Sequence, residues 1–324
     1  MKIFVLGSIA FDQFYGYDRS FLTGIRPEAL DTLSVAFQVK SCIKAPGGGG
    51  ANIASALGLL GQPSLLYSTV GTDGGDLLKA LQARGVDTRY VREVTDKLTA
   101  SCAIGTDTEE HQITFWYAGA DDDMAWQSPK ERNDEIDYAI VGPIHPHIAI
   151  KALEWADAAD IPVIFDPGQH ILQYSVQQLW EALNHSTGLI VNEYEWNIIQ
   201  QKLQVNPQQL IQETIFEAEF SKEMTYLVVT RGEEGFSLDE PGRTAKYPAC
   251  AVQKPINPTG AGDAFRAGLL TGLARGWSLD VSCKLGAAIG SFVVEQQGAI
   301  LETLDMTELK RRYKEAYGEE LPTL

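Results

Sequence analysis

The chain has 324 residues, 44% of them apolar, which suffices for the core of one large α/β domain or of one domain with a small appendage. Acidic residues outnumber basic ones 43 to 26, a formal charge of −17, and this argues against nucleic acid or an anionic membrane as partner, since phosphate-rich surfaces call for basic patches. Cys42, Cys102, Cys250 and Cys283 lack CxxC spacing, so free thiols of a cytoplasmic protein are expected, with no direct transition-metal site.

Residues 2–9 read as a buried strand that begins without a signal-peptide pattern, and no stretch approaches the length of a membrane span. Ligands of open α/β sheets collect at the carboxyl ends of strands, which places Ser8 and Asp12 beside a substrate; a strand-end turn with an aspartate cap is the plainer alternative. Residues 13–45 break the rhythm. Their aromatic residues mix with polar ones, and residues 34–40 alternate like a strand with two unlike faces. They predict part of a small projecting sheet, whose other half is residues 99–118 with a hairpin tip at 106–110. There Phe115 and Trp116 point to opposite faces, and one of them is placed to stack on a flat ligand or simply to pack within the sheet.

Between these halves, Gly47 to Gly50 lead through Asn52 into a helix expected over 53–61, followed by a strand over 64–69 and a helix over 77–84. From residue 138 strand and helix patterns alternate. Strands are expected at 138–141, 162–166, 188–192 and 226–230, and helices at 149–158, 176–183, 193–202 and 207–216. Such alternation means a mostly parallel sheet covered by helices on both faces, a three-layer α-β-α sandwich with a small β-sheet lid. The division is then 1–12, 46–98 and 119–324 for the large domain, and 13–45 with 99–118 for the lid.

Polar residues punctuate the strand ends. Gln169 follows one. Asn192 and Glu195 follow the next and share a face of a first helical turn, which suits either the water shell of Mg²⁺ or a capping box. Thr230, Gly232 and Gly235 follow the third and suit a nucleotide phosphate or a plain turn. The GxxxxGK[ST] phosphate loop and the GxGxxG dinucleotide fingerprint are both absent. Instead Asn257-Pro258-Thr259-Gly260-Ala261-Gly262-Asp263-Ala264-Phe265 opens an apolar helix. Its amides and the helix dipole suit a phosphoryl group, and Asp263 is either a base for an attacking hydroxyl or an N-cap.

Two motifs carry a family resemblance across essentially the whole chain. Residues 257–268 resemble the C-terminal signature of the ribokinase-like, PfkB-type carbohydrate and nucleoside kinases, and Gly47 to Ala54 with Leu59-Leu60-Gly61 resemble the N-terminal one. Asn192-Glu193-Tyr194-Glu195-Trp196 and Asp263-Ala264-Phe265-Arg266-Ala267-Gly268 look most like the bacterial-type adenosine kinases. The resemblance implies transfer of a phosphoryl group from MgATP to a nucleoside 5′-hydroxyl, adenosine first, with a PfkB-type sugar kinase as the alternative. It assigns Asp263 as base and Gly260, Ala261 and Gly262 as the anion hole. Asp12, Gly48 and Asn52 would hold ribose, and Ser8, Phe37, Trp116 and Gln169 would surround the base. Asn192 and Glu195 would serve Mg²⁺ and phosphates, and Thr230, Gly232 and Gly235 the ATP side. It further implies a homodimer joined through the lids. The chain departs from the pattern at Asn257, where the family usually has an aspartate of a K⁺ loop, and at Ala36, Cys102 and Gln173 near the nucleobase and lid.

Overall fold

The computed structural model describes residues 1–25, 34–109, 111–129, 136–216 and 224–324. Strand β1 (Ile3–Leu6) is buried on both faces, so its four side chains are all apolar. Ile3 and Val5 enter one core, and Phe4 and Leu6 enter another on the opposite side. The strand lies between β4 (Ser64–Gly71) and β8 (Tyr138–Val141), parallel to both. The sheet continues past β8 through β9 (Val163–Phe165), β10 (Gly188–Asn192) and β11 (Tyr226–Thr230), and past β4 to β5 (Val86–Val94). Antiparallel β12 (Phe236–Glu240) and β13 (Arg243–Tyr247) complete nine strands.

Helices α1 (Gly49–Leu59), α2 (Gly75–Ala83), α7 (Ala261–Ala274) and α8 (Leu279–Val293) cover the Ile3 and Val5 face. The other face carries α3 (Pro146–Ala158), α4 (Val176–Asn184), α5 (Glu193–Leu203) and α6 (Pro207–Phe216). Helix α9 (Met306–Tyr317) packs outside α8. The chain therefore forms the expected α-β-α sandwich, and every strand end from β1 to β11 that sequence reasoning marked as polar lies along one edge of the sheet.

A separate sheet holds β2 (Ala10–Gly16), β3 (Ser41–Gly47), β6 (Ala100–Thr106) and β7 (Gln112–Tyr117), in the order β3-β2-β6-β7. The strand expected over 34–40 is a correction: residues 34–39 have no regular structure, and the strand is Ser41–Gly47. Its ladder follows β2 from Ala10–Gly47 to Gly16–Ser41, and ends where Lys40 N–H donates to Gly16 O at 2.8 Å. Beyond that point Phe37 turns its ring to Tyr17 and Phe21.

Helix α1 also begins earlier than its sequence pattern, because Gly49 and Gly50 already belong to its first turn. Backbone meets backbone there. A Cβ on Gly50 would lie 2.6 Å from the carbonyl carbon of Gly7, at the end of β1. Gly48, at φ 91°, makes the turn between β3 and α1 and leaves as little room, with Ala10 N 2.6 Å from its would-be Cβ. Gly50→Ala should therefore lower stability by about 2 kcal/mol or more. Urea unfolding checks this, and an unchanged midpoint would contradict the close approach.

Candidate active site

Asp263 stands in the first turn of α7, whose N-cap Gly260 is left-handed at φ 86° and makes no side-chain cap. The carboxylate does not cap its own helix. It accepts instead a 2.7 Å hydrogen bond from Asn52 Nδ2 in the first turn of α1. Two helix N-termini thus converge on one carboxylate, and a Cβ on Gly49 would sit 3.5 Å from its Oδ1. Burial raises the Asp263 pKa to about 6; Arg266 and Asn52 pull it down, while Asp166 and Asp12 push it up. Ala261 N–H donates to Pro258 O at 3.1 Å, whereas the N–H groups of Gly260, Gly262 and Asp263 have no acceptor among the described residues.

Asp12 lies on β2 between Ala45 of β3 and Cys102 of β6. Its residue is 7% exposed, its carboxylate receives no hydrogen bond among the described residues, and burial lifts its pKa to about 6. Cys102 is pushed up to about 11, by burial first and then by the Asp12 charge. Asn52 Oδ1 is also buried without a partner. The cleft thus contains acceptors in excess. Asp12 awaits donors, Asn52 Oδ1 is sealed without one, and Asp263 has received one. Half-buried Ser8 lies beside them, its carbonyl fixed by Ala51 N–H at 3.1 Å.

The opposite wall is charged. Arg266, one turn along α7 from Asp263, binds Asp166 with both Nε and Nη2, the latter at 2.6 Å from Oδ1, and donates from Nη1 to Gly262 O at 2.9 Å. This buried fork fixes the Gly260–Gly262 turn to the end of β9. Glu195 and Asn192 form the capping box: Asn192 N–H and Nδ2 donate to Glu195 at 2.8 and 2.9 Å, and Glu195 N–H returns a bond of 2.9 Å to Asn192 Oδ1. Burial and then the Asp166 charge hold the Glu195 pKa above the usual range. Thr230 pairs with Asn192 across β10 and β11, and the turn that follows carries Gly232 at φ 55° and Gly235 at φ 93°.

Residues 2–305 match the model of the pfkB family of carbohydrate kinases. The chain belongs to that family. It is similar to a nucleoside kinase of Methanocaldococcus jannaschii, with 30% identity over 300 residues that cover 92% of this chain and 91% of the relative. It is also similar to the ribokinase of Bacillus subtilis, 28% identical over 92% of this chain and 94% of that one. Among solved structures, the nucleoside kinase of Burkholderia thailandensis in complex with inosine superposes with a TM-score of 0.84 at 28% identity, covering 98% and 99% of the two chains. This PfkB-family protein is accordingly a phosphotransferase acting on hydroxyl groups. Among the described residues no helix is long and apolar enough to cross a membrane.

Within this kinase fold the remaining expected site residues are dispersed. Trp116 shares a row with Cys102 and Asp12, so it stands on the Asp12 face of the small sheet, 49% exposed. Gln169 is exposed on the 3-10 turn Gly168–Gln173 after β9. Phe37 packs in an aromatic trio, 4.9 Å from Phe21 and 5.0 Å from Tyr17, at the end of β2 away from Asp12. Asp166 and Arg266 join the site in the structure alone; their signal in the sequence is a carboxylate at a strand end and an arginine three positions after Asp263.

A buried, unpaired Asp12 has a consequence for stability. Its folded pKa of about 6 exceeds the ordinary aspartate value of 3.8, so its contribution is favourable below that value and is lost as pH rises through about 6. Asp12→Asn should stabilise the ligand-free protein at pH 8 by on the order of 2 kcal/mol and have little effect at pH 3 to 4. Urea titrations at the two pH values check this; equal effects at both would show that the carboxylate is not strained by burial.

Proposed function

We propose that the protein transfers the γ-phosphoryl group of ATP to the 5′-hydroxyl of a nucleoside, with adenosine and inosine the first acceptors to test. The observation that carries this reading is the unpaired carboxylate of Asp12 beside the raised carboxyl of Asp263, which Asn52 holds in place. A ribose supplies what Asp12 lacks, because its vicinal hydroxyls donate to that carboxylate and leave the 5′-hydroxyl directed at Asp263. The inosine-bound relative supports the choice of a nucleoside.

Asp263 then takes the hydroxyl proton as the new O–P bond forms and the bond to the departing ADP breaks. The open N–H groups of Gly260, Gly262 and Asp263 face the charge that develops on the transferring group, while Ala261 N–H shapes the turn through Pro258. A pKa of about 6 leaves Asp263 ionised at neutral pH yet more basic than an ordinary aspartate. Mg²⁺ fits beside Glu195: its two oxygens each spend one lone pair on Asn192, others remain, and its raised pKa favours a nearby cation. When bound, the ion neutralises phosphate charge. Asn192, Thr230, Gly232 and Gly235 would line the ATP side.

The small sheet would act as the lid, with Trp116 over the nucleobase and Gly48, Ser8 and Gln169 bordering it; Phe37 would stiffen the lid through Tyr17 and Phe21. Phe115 and Tyr117 lie on the outer face, 71% and 48% exposed, and would join two lids as a homodimer. A sugar kinase is the second reading, favoured by the ribokinase similarity. A sugar phosphate would want cations on the Asp12 face, and Lys44 instead faces outward, 3.8 Å over the ring of Phe11.

An ADP-release assay over adenosine, inosine, other nucleosides, ribose and fructose phosphates tests the assignment. Nucleosides should be turned over fastest, and Asp263→Asn should cut turnover about a hundredfold or more with ATP binding retained. Near-normal turnover in the variant, or equal weak turnover on every acceptor, would sink it.

Asn257 bears on monovalent cations. Its Nδ2 donates to Gln297 O at 2.8 Å and its Oδ1 accepts from Thr259 N–H at 3.0 Å, so a neutral amide already ties the two loops together. Turnover in choline chloride should match that in KCl within about twofold. A strong and specific K⁺ activation would overturn this role of Asn257.

A further inference from the structure

The edge of the large sheet opposite Asp263, where its parallel strands begin, carries a cleft of about 440 Å³. Tyr138, Thr187, Thr225, Tyr226 and Glu240 line it, and Leu273 at the far end of α7 closes one side. Leu273 lies about 15 Å along that helix from Asp263, at 1.5 Å per residue, so the cleft is separate from the phosphoryl-transfer site. Its volume falls within the range of small-molecule pockets.

Tyr226 is the informative residue. It is 7% exposed, and its ring lies over the bare backbone of Gly188, where a Cβ would come within 2.7 Å of Cε1. Yet its hydroxyl has no protein partner among the described residues, and it is not among the sealed, unsatisfied atoms. A phenol so deeply placed usually finds a hydrogen bond, and this one opens on the cleft. Burial, with Cys283 and Tyr138 nearby, raises its pKa, so it remains a neutral hydroxyl. Thr225 and Thr187 are already committed, Thr225 Oγ1 donating to Thr187 O at 3.1 Å and Thr187 Oγ1 accepting from Val163 N–H at 3.1 Å.

Glu240 is the charged residue among those that line the cleft. Glu240 contributes a carboxylate whose Oε2 is paired with Arg243 at 3.0 Å, and its other oxygen has no partner among the described residues. Among the described residues no lysine, arginine or histidine lines the cleft itself. Two tyrosine rings with the carboxylate oxygen that Arg243 leaves free make a poor anion site and a good one for a cation carried on an apolar ring.

We propose that this cleft binds a small cationic aromatic amine, its ring against Tyr138, Tyr226 and Leu273, and its ammonium group shared between the Tyr226 hydroxyl and Glu240. The site excludes nucleotides by charge, so it is independent of ATP and of the acceptor.

Calorimetric titration of the whole protein with tryptamine tests the proposal, with indole-3-acetate as the anionic control. Saturable tryptamine binding is expected, unaffected by saturating ATP or inosine, and none is expected for indole-3-acetate. Tyr226→Phe, which keeps the ring, should weaken binding about fivefold. Thr225→Trp, at an exposed rim position, should block it while ATP binding is unchanged. Absence of tryptamine binding, equal binding of the anion, competition by ATP or inosine, or binding unaltered in Thr225→Trp would each overturn the proposal.

Discussion

The hydrogen bond from Asn52 to Asp263 is the contact on which the site depends. It joins the first turns of α1 and α7, which belong to opposite ends of the chain and meet on one face of the sheet. Each turn is glycine-rich because backbone must approach backbone, Gly50 against Gly7 and Gly260 against the loop at Ala299. With the two helices so placed, both positive helix ends act on the same few cubic ångströms, and a carboxylate can be kept there with a pKa of about 6. The Asp166–Arg266 fork completes the frame from the other side. Removing one partner would strand a buried charge at a cost of several kcal/mol, so the fork holds the Gly260–Gly262 turn in register with β9.

The site is built from conflict more than from matched contacts. Asp12, Asp263 and Glu195 all have raised pKa values, burial being the first cause in each. Such groups weaken the ligand-free fold at neutral pH and are relieved by ligands that bring donors or a cation. The two apolar cores behind them are large, and they supply the stability that this arrangement consumes.

The layered fold was legible because its central strands are continuous apolar runs and its helices have clear starts. What escaped was of a different kind. Strand β5 is an edge strand whose sequence, Asp87-Thr88-Arg89-Tyr90-Val91-Arg92-Glu93, hides its pairing under charge. The hairpin of β12 and β13 lies at the other edge. Helix α8 is apolar and small-residued nearly all round, so it offers little period to read. The strand placed at 34–40 was misread because alternation there serves Phe37's aromatic trio and not a sheet face. Asp12 at a strand end, Asn52 and Asp263 at glycine-rich helix starts, and Asn192 and Glu195 three apart are visible in the sequence, whereas the Arg266–Asp166 fork joins positions 100 apart and exists only in three dimensions.

Asn52 and Asp263 are separated by 211 residues. At synthesis rates of roughly 5–20 residues per second, the ribosome needs about 10–40 s to make the second partner after the first. During that interval β1 to β4 and α1 can pair, but the α1 face that will meet α7 stays uncovered and Asn52 has only water to bind. The acceptor half of the cleft is thus made early and sealed last, which makes the growing chain dependent on its late helices to hide what its first quarter exposes.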